Sequence, residues 1–344
     1  MVDPTLQLRL AAMILCSAWV SARSPSCGNT ERRSLGERSY LLRLPAGKSC
    51  GATLRSMPLL VTIHCYGCDA EMELVKWRED ADAHGFAIAS PEGIGHSFHA
   101  PHCCGPARES NVDDVSFIDL MVTEVISERG SPPLSSRAIF VTGFSNGGFM
   151  ASHLVSLAGK SQTRWAAVAT MAGHEYSVSR TQPLPVSMHH CATDHVVNAS
   201  GCCLEGGQPT CCCGIVADQC VSAAALHSAW FVTNQCTSMR RTSSAAGSQC
   251  FVGVGCAAET SLCLYYGCHH AQWSHSFPAT GEVMRFFSSI AGRPTVGAMA
   301  HSQGQHVLGE SQPDAKRHQH VALAAPAAAG VARTGKRIKR RRVT

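Results

Sequence analysis

The chain has 344 residues, 45% of them hydrophobic, so it can bury a sizeable core and is not a disordered polymer. Its net charge of +5 is unevenly placed. Residues 291–344 hold ten Lys/Arg and two Asp/Glu, a balance of +8 that leaves −3 for residues 1–290 and argues against a nucleic-acid-binding domain.

The N-terminus reads as a secretory signal over residues 1–22. Arg9 gives a positive start, 10–20 is an apolar run too short to span a bilayer, and Ser21 and Ala22 are small residues suited to cleavage. No later segment reaches the ~20 apolar residues of a membrane helix, so stable membrane insertion is not expected. Nineteen cysteines, eighteen of them after the signal, then favour disulfides over free thiols in an exported chain. Asn198-Ala199-Ser200 adds a glycosylation acceptor consistent with export.

Residues 23–38 are polar and read as a loose segment. Strands are predicted at 39–44 (SYLLRL), 59–64 (LLVTIH) and 86–89 (FAIA), from their β-branched and apolar runs. A helix is predicted over 71–84, stopped at Gly85. Residues 92–112 form a long loop rich in Gly, His, Pro and Cys. Asp113 then caps a helix on which Val115, Ile118, Met121, Val122, Val125 and Ile126 recur at helical spacing.

A strand at 138–142 (AIFVT) runs into Gly143-Phe144-Ser145-Asn146-Gly147, and 146–157 reads as helix. Strands follow at 166–171 and 185–190. A cysteine-rich insertion at 198–222 breaks the rhythm. Helix returns at 223–233, then a strand at 262–266 and a closing helix at 281–290. Strands alternating with helices imply an α/β domain with a mainly parallel sheet, over residues 39–292. The Ala-, Gln-, His- and Gly-rich tail at 293–344, ending in KRIKRRR, is expected to be disordered.

The stretch GFSNG carries the chemistry. A serine hydroxyl becomes nucleophilic only with a base to take its proton and a carboxylate to orient that base. A G-x-S-x-G elbow presents it between strand and helix, and its glycines leave room where any Cβ would collide with neighbouring backbone. Ser145 is therefore the candidate nucleophile, with the Asn146 N–H as one oxyanion donor. The second donor is expected from the loop after 59–64, most simply the Tyr66 N–H. Asp194, just past strand 185–190, is the candidate acid. The base must follow it, and His269, His270 and His275 are all chemically suitable.

PLLVTIHCYG (58–67), HCCGPARESNVDDVSF (102–117), VTGFSNGGFM (141–150), ATDHVV (192–197), WFVTNQC (230–236), YYGC (265–268), SHSFPA (274–279) and EVMRFF (282–287) stand in chain order. Together they resemble the motifs of the secreted polyhydroxybutyrate depolymerase and feruloyl esterase family of α/β hydrolases. The resemblance covers about 40–290. It implies an α/β-hydrolase fold and a Ser145–His275–Asp194 triad acting through an acyl-enzyme, with Asn146 and Tyr66 N–H groups as the oxyanion hole. The implied substrates are polyester or feruloyl- or acetyl-polysaccharide esters, with no cofactor.

The resemblance also implies a Cys236–Cys268 disulfide. The chain departs from the family pattern at Cys65, which replaces a glycine, at Ser274 and Phe277, and in the Cys211–Cys213 run. Two other readings compete. One is an exported binding module that kept the fold and lost the chemistry. The other is a zinc site built from the cysteine run with His269 and His270, which lacks paired ligand spacing, so no metal is expected.

Overall fold

The computed structural model describes residues 26–292, except 51–55, 102, 129–132, 157–158, 160, 175–176, 202–220, 244–247 and 271–278. The chain divides into a unit over Met1–Arg293 and a second over Pro294–Thr344. The expected signal, the cysteine run of the insertion, the basic tail and His275 all lie outside the described residues.

One ten-stranded sheet organises the first unit, in the order β1-β2-β4-β3-β5-β6-β7-β10-β9-β8. Its centre is parallel, built from β3 (Met57–Ile63), β4 (Ala87–Pro91), β5 (Leu134–Phe144), β6 (Ala167–Met171), β7 (Val186–Cys191) and β10 (Thr260–Tyr265). Antiparallel strands close both sides: β1 (Thr30–Leu35) and β2 (Arg38–Arg43) on one, β9 (Ser248–Val254) and β8 (Ser238–Ser243) on the other.

Helices cover both faces. Successive residues of a strand point to opposite faces. Leu59, Val61 and Ile63 of β3 join the core beneath α3 (Asp114–Ser127), α4 (Asn146–Ser156) and α5 (Ala223–Thr233). Leu60 joins the core under α1 (Ala70–His84) and α6 (Ala279–Ala291). A short α2 (Gly105–Glu109) lies in the long loop. Strand order, parallel centre and helices on both faces make this an α/β-hydrolase fold.

The helix boundaries follow local chemistry. Asp69 caps α1 by accepting from the Met72 N–H, and Gly85 ends it at φ 73°, a left-handed conformation open to glycine. Asp113 caps α3 through the Ser116 N–H at 3.0 Å, as its sequence position predicts.

Two expectations are corrected and one hairpin is added. The segment at 23–38 is not wholly loose: β1 pairs along its length with β2, and its buried Arg33 is held by Glu31 and Glu128. The polar β8–β9 hairpin was not anticipated. The pairing of Cys236 with Cys268 does not occur. Cys268 follows β10, which runs parallel beside β7, so it meets Cys191 at the end of β7. Cys236 meets Cys256, while Cys250 and Cys263 bridge the adjacent β9 and β10. The other described disulfides are Cys27–Cys50, Cys65–Cys68 and Cys103–Cys104. Among the described residues, no helix is long and apolar enough to cross a membrane.

Candidate active site

The turn between β5 and α4 puts Ser145 at φ 54°, a left-handed conformation uncommon for a residue with a side chain. Its N–H donates to the Met171 carbonyl and its carbonyl accepts from the Phe149 N–H, both at 2.9 Å. Such a turn needs bare backbone around it. A Cβ on Gly147 would lie 2.0 Å from the Ile63 oxygen, and one on Gly143 would lie 2.3 Å from the Gly147 oxygen. A Cβ on Gly173, beyond β6, would lie 2.2 Å from the Ser145 oxygen. The glycines thus let the elbow seat directly on the C-terminal end of β3.

Asp194 sits in the loop after β7. Its Oδ1 accepts from the Val196 and Val197 N–H groups, each at 2.8 Å, which fixes the carboxylate plane. Its Oδ2 lies 2.7 Å from His270 Nδ1. The same imidazole places Nε2 2.9 Å from Ser145 Oγ. An ionised carboxylate only accepts hydrogen bonds, so Nδ1–H donates to Asp194 and Nε2 accepts from the serine hydroxyl. Burial pushes the Asp194 pKa upward. The hydrogen bond from His270, its charge and the Val197 N–H outweigh that, and the acid settles below its ordinary value.

His270 therefore holds the bridging position that the sequence comparison reserved for His275. The position is well braced. The Cys191–Cys268 disulfide ties the loop after β10 to the end of β7, and the Thr193 hydroxyl donates to the Cys268 carbonyl at 2.8 Å. Phe144 packs against the imidazole with centroids 4.9 Å apart. The loops carrying acid and base are thus pinned to each other. His269 faces elsewhere, stacking on His195 at 6.2 Å.

Below the acid lies a buried histidine the sequence reading passed over. His190 Nε2–H donates to the Val197 carbonyl at 2.7 Å, steadying the loop that presents Asp194. Burial lowers its pKa, and the Val197 carbonyl and Asp194 offset this only in part, so it is neutral at pH 7.

The loop after β3 approaches the same point. His64 is fully buried; its Nδ1–H donates to the Cys65 carbonyl at 2.8 Å and its Nε2 accepts from the Gly93 N–H at 3.0 Å. Burial lowers its pKa, with weaker opposition from the Cys65 carbonyl and Glu92, so this neutral tautomer persists. Tyr66 follows at the exposed tip of the loop.

The Asn146 side chain also has a task that the sequence reading did not give it. Its Oδ1 accepts from the Phe98 N–H at 2.7 Å, and its Nδ2 donates to the Phe98 and Cys103 carbonyls at 3.0 and 3.2 Å. It clamps the 92–112 loop over the elbow. Asp114 anchors the same loop by accepting from the His99 N–H at 2.6 Å and from Arg38 at 2.7 Å.

Among the described residues, one trio has metal-ligand spacing: His189, Cys263 and Glu282. Cys263 is bonded to Cys250, so it offers no thiolate. Tyr265 joins the other two, accepting from His189 and donating to Glu282 at 2.7 Å. His189, Tyr265 and Glu282 thus form a hydrogen-bonded relay, and with Cys263 held in its disulfide the cluster is a poor metal site as it stands.

No protein-family model matches the chain, and no curated protein sequence matches it. Solved structures with a similar backbone include an acetyl xylan esterase from Aspergillus awamori. It is 12% identical, with a TM-score of 0.48 over 76% of this chain and 99% of that one. Esterase PE8 is 15% identical, with a TM-score of 0.43 over 68% and 93%. An S-formylglutathione hydrolase from Agrobacterium tumefaciens is 11% identical, with a TM-score of 0.43 over 79% and 99%.

Proposed function

We propose that the chain is a secreted serine carboxylic-ester hydrolase. The observation that carries this reading is the single imidazole of His270 set between Ser145 Oγ and the buried Asp194 carboxylate. In this mechanism Ser145 attacks the ester carbonyl while its proton passes to His270 Nε2. Asp194 stabilises the imidazolium, which then protonates the leaving alcohol. Water repeats the sequence to release the acid and free the serine. The N–H groups of Asn146 and Tyr66 hold the oxyanion: the first opens α4, and the second lies on the loop that follows Ile63, against which the elbow is packed.

Export is supported by the six disulfides among the described residues and by the N-terminal signal pattern. The substrate class is an ester of a polyester or of a feruloylated or acetylated polysaccharide, as the sequence motifs imply. A formed relay favours catalysis over the binding-module reading.

Turnover of p-nitrophenyl acetate, methyl ferulate, acetylated xylan and polyhydroxybutyrate tests both the reaction and its substrate. Ser145→Ala and His270→Ala are expected to lose about 10³-fold or more in kcat, and His275→Ala to stay within about threefold. Wild-type turnover by Ser145→Ala would overturn the mechanism. Loss confined to His275→Ala would return the base to that residue.

A further inference from the structure

Cys65 stands where the resembled family carries a glycine, and the structure shows what replaces that glycine. Cys65 bonds to Cys68, closing Cys65-Tyr66-Gly67-Cys68 into a ring. The ring is also a turn: the Cys68 N–H donates to the Cys65 carbonyl at 3.1 Å, and Gly67 takes φ 77°. Both ends are held. The Cys65 carbonyl accepts from buried His64, the Gly67 N–H donates to the His96 carbonyl at 2.9 Å, and His96 Nδ1–H donates to the Cys68 carbonyl at 3.0 Å.

Tyr66, whose N–H is the second oxyanion donor of the proposed mechanism, therefore sits inside a covalently closed turn. Oxyanion stabilisation depends on donors fixed before reaction, and small displacements weaken it. The bridge spans only three positions, against 77 for Cys191–Cys268. Constraint of the unfolded chain grows with loop length, so this bridge acts chiefly on local geometry. Cys65 and Cys68 are buried, yet the Tyr66-Gly67 tip between them is exposed, so a small reductant can approach the turn.

We propose that the Cys65–Cys68 disulfide is a positioning element for the oxyanion loop, and that its reduction by a dithiol reversibly lowers turnover. In the step, a dithiol thiolate attacks one sulfur and the S–S bond breaks. The mixed disulfide then closes to the oxidised reductant. Cys65 and Cys68 take up two electrons and two protons as thiols. The proposal rests on the serine-esterase reading.

The test uses the full-length oxidised protein and the Cys65→Ala/Cys68→Ala variant, each assayed on p-nitrophenyl acetate before and after limited dithiothreitol. Mass spectrometry of alkylated cysteines reports which bridge has opened. The wild type is expected to lose about tenfold or more in kcat with KM within about twofold as Cys65 and Cys68 become reduced, read as their alkylation in quenched aliquots, and the unalkylated protein to recover on reoxidation. The variant should start at the lower kcat, with an unchanged far-UV spectrum, and not respond.

Wild-type kcat in the double variant overturns the proposal, as does an equal loss in both proteins on reduction. Should the double variant not fold, the wild-type titration decides alone: kcat unchanged with both residues alkylated overturns it. A fluorophosphonate that fails to label Ser145 in oxidised, folded wild type, together with no turnover, sinks the esterase reading itself. Labelling with turnover that ignores the bridge sinks only the positioning role.

Discussion

Gly147→Ala probes the packing that seats the nucleophile. The new Cβ would lie 2.0 Å from the Ile63 oxygen, 2.5 Å from the Ile63 carbonyl carbon and 2.6 Å from the His64 oxygen. Ordinary contact begins near 3.4 Å, so elbow and strand must part by 3.4 minus 2.0, or about 1.4 Å. Neither side yields easily. Ile63 ends β3, which is held between β4 and β5, and Gly147 lies in the first turn of the wholly buried α4. Overpacking of this kind costs about 1–3 kcal/mol or more, and a shift of ~1 Å at a reacting centre costs about 10²-fold in rate.

The variant is therefore expected to melt several degrees lower and to lose about 10²-fold in kcat on p-nitrophenyl acetate. Gly281→Ala serves as the control, because its Cβ would find nothing nearer than 3.6 Å. It should keep full activity and equal or higher thermal stability, since alanine suits a helix better than glycine. Calorimetry and steady-state kinetics on both variants decide the matter. Gly147→Ala with unchanged melting and kcat within about twofold of wild type would refute the packing argument.

Two further outcomes follow from the buried titratable groups. In Asp194→Asn, the Oδ1 partners Val196 and Val197 keep their acceptor, so the amide NH₂ faces His270 Nδ1 and forces the tautomer that cannot take the serine proton. A fall of about 10⁴ in kcat with an unchanged melting temperature is expected; near-wild-type kcat would contradict the relay. Separately, burial lowers the pKa values of His189 and His227 to about 4. Folded values below the unfolded one mean that their contribution is complete above about pH 6.5 and is lost as pH falls toward 4. By linkage each removes about 2 kcal/mol between pH 7.5 and 5. The urea midpoint should drop over that range, and less steeply in His227→Gln; a flat midpoint would refute it.

How much of this was legible in the sequence depends on how local each feature is. The elbow is a contiguous strand, turn and helix, so VTGFSNGGFM announces its own geometry. The stop at Gly85 and the cap at Asp113 are equally local. The edge strands β1 and β8 escaped because TERRSL and SMRRTS are polar. Charged side chains on sheet edges guard against unwanted pairing, and in doing so they hide the apolar pattern that marks a strand. The amide of Asn146 was read only as a backbone donor, since its partners Phe98 and Cys103 lie more than 40 positions away.

By itself the sequence determined the α/β order of elements, the elbow serine, the candidate acid just past strand 185–190 and the abundance of cysteine. It left three histidines equivalent, and neighbouring motifs pointed to His275. Only the tertiary structure brought His270 between Ser145 and Asp194, because Cys268 is bonded to Cys191 where β10 runs beside β7. It alone decided the cysteine partners too. Pairing depends on which strand ends lie adjacent in the sheet, and adjacency between residues 77 positions apart has no trace in local composition or periodicity.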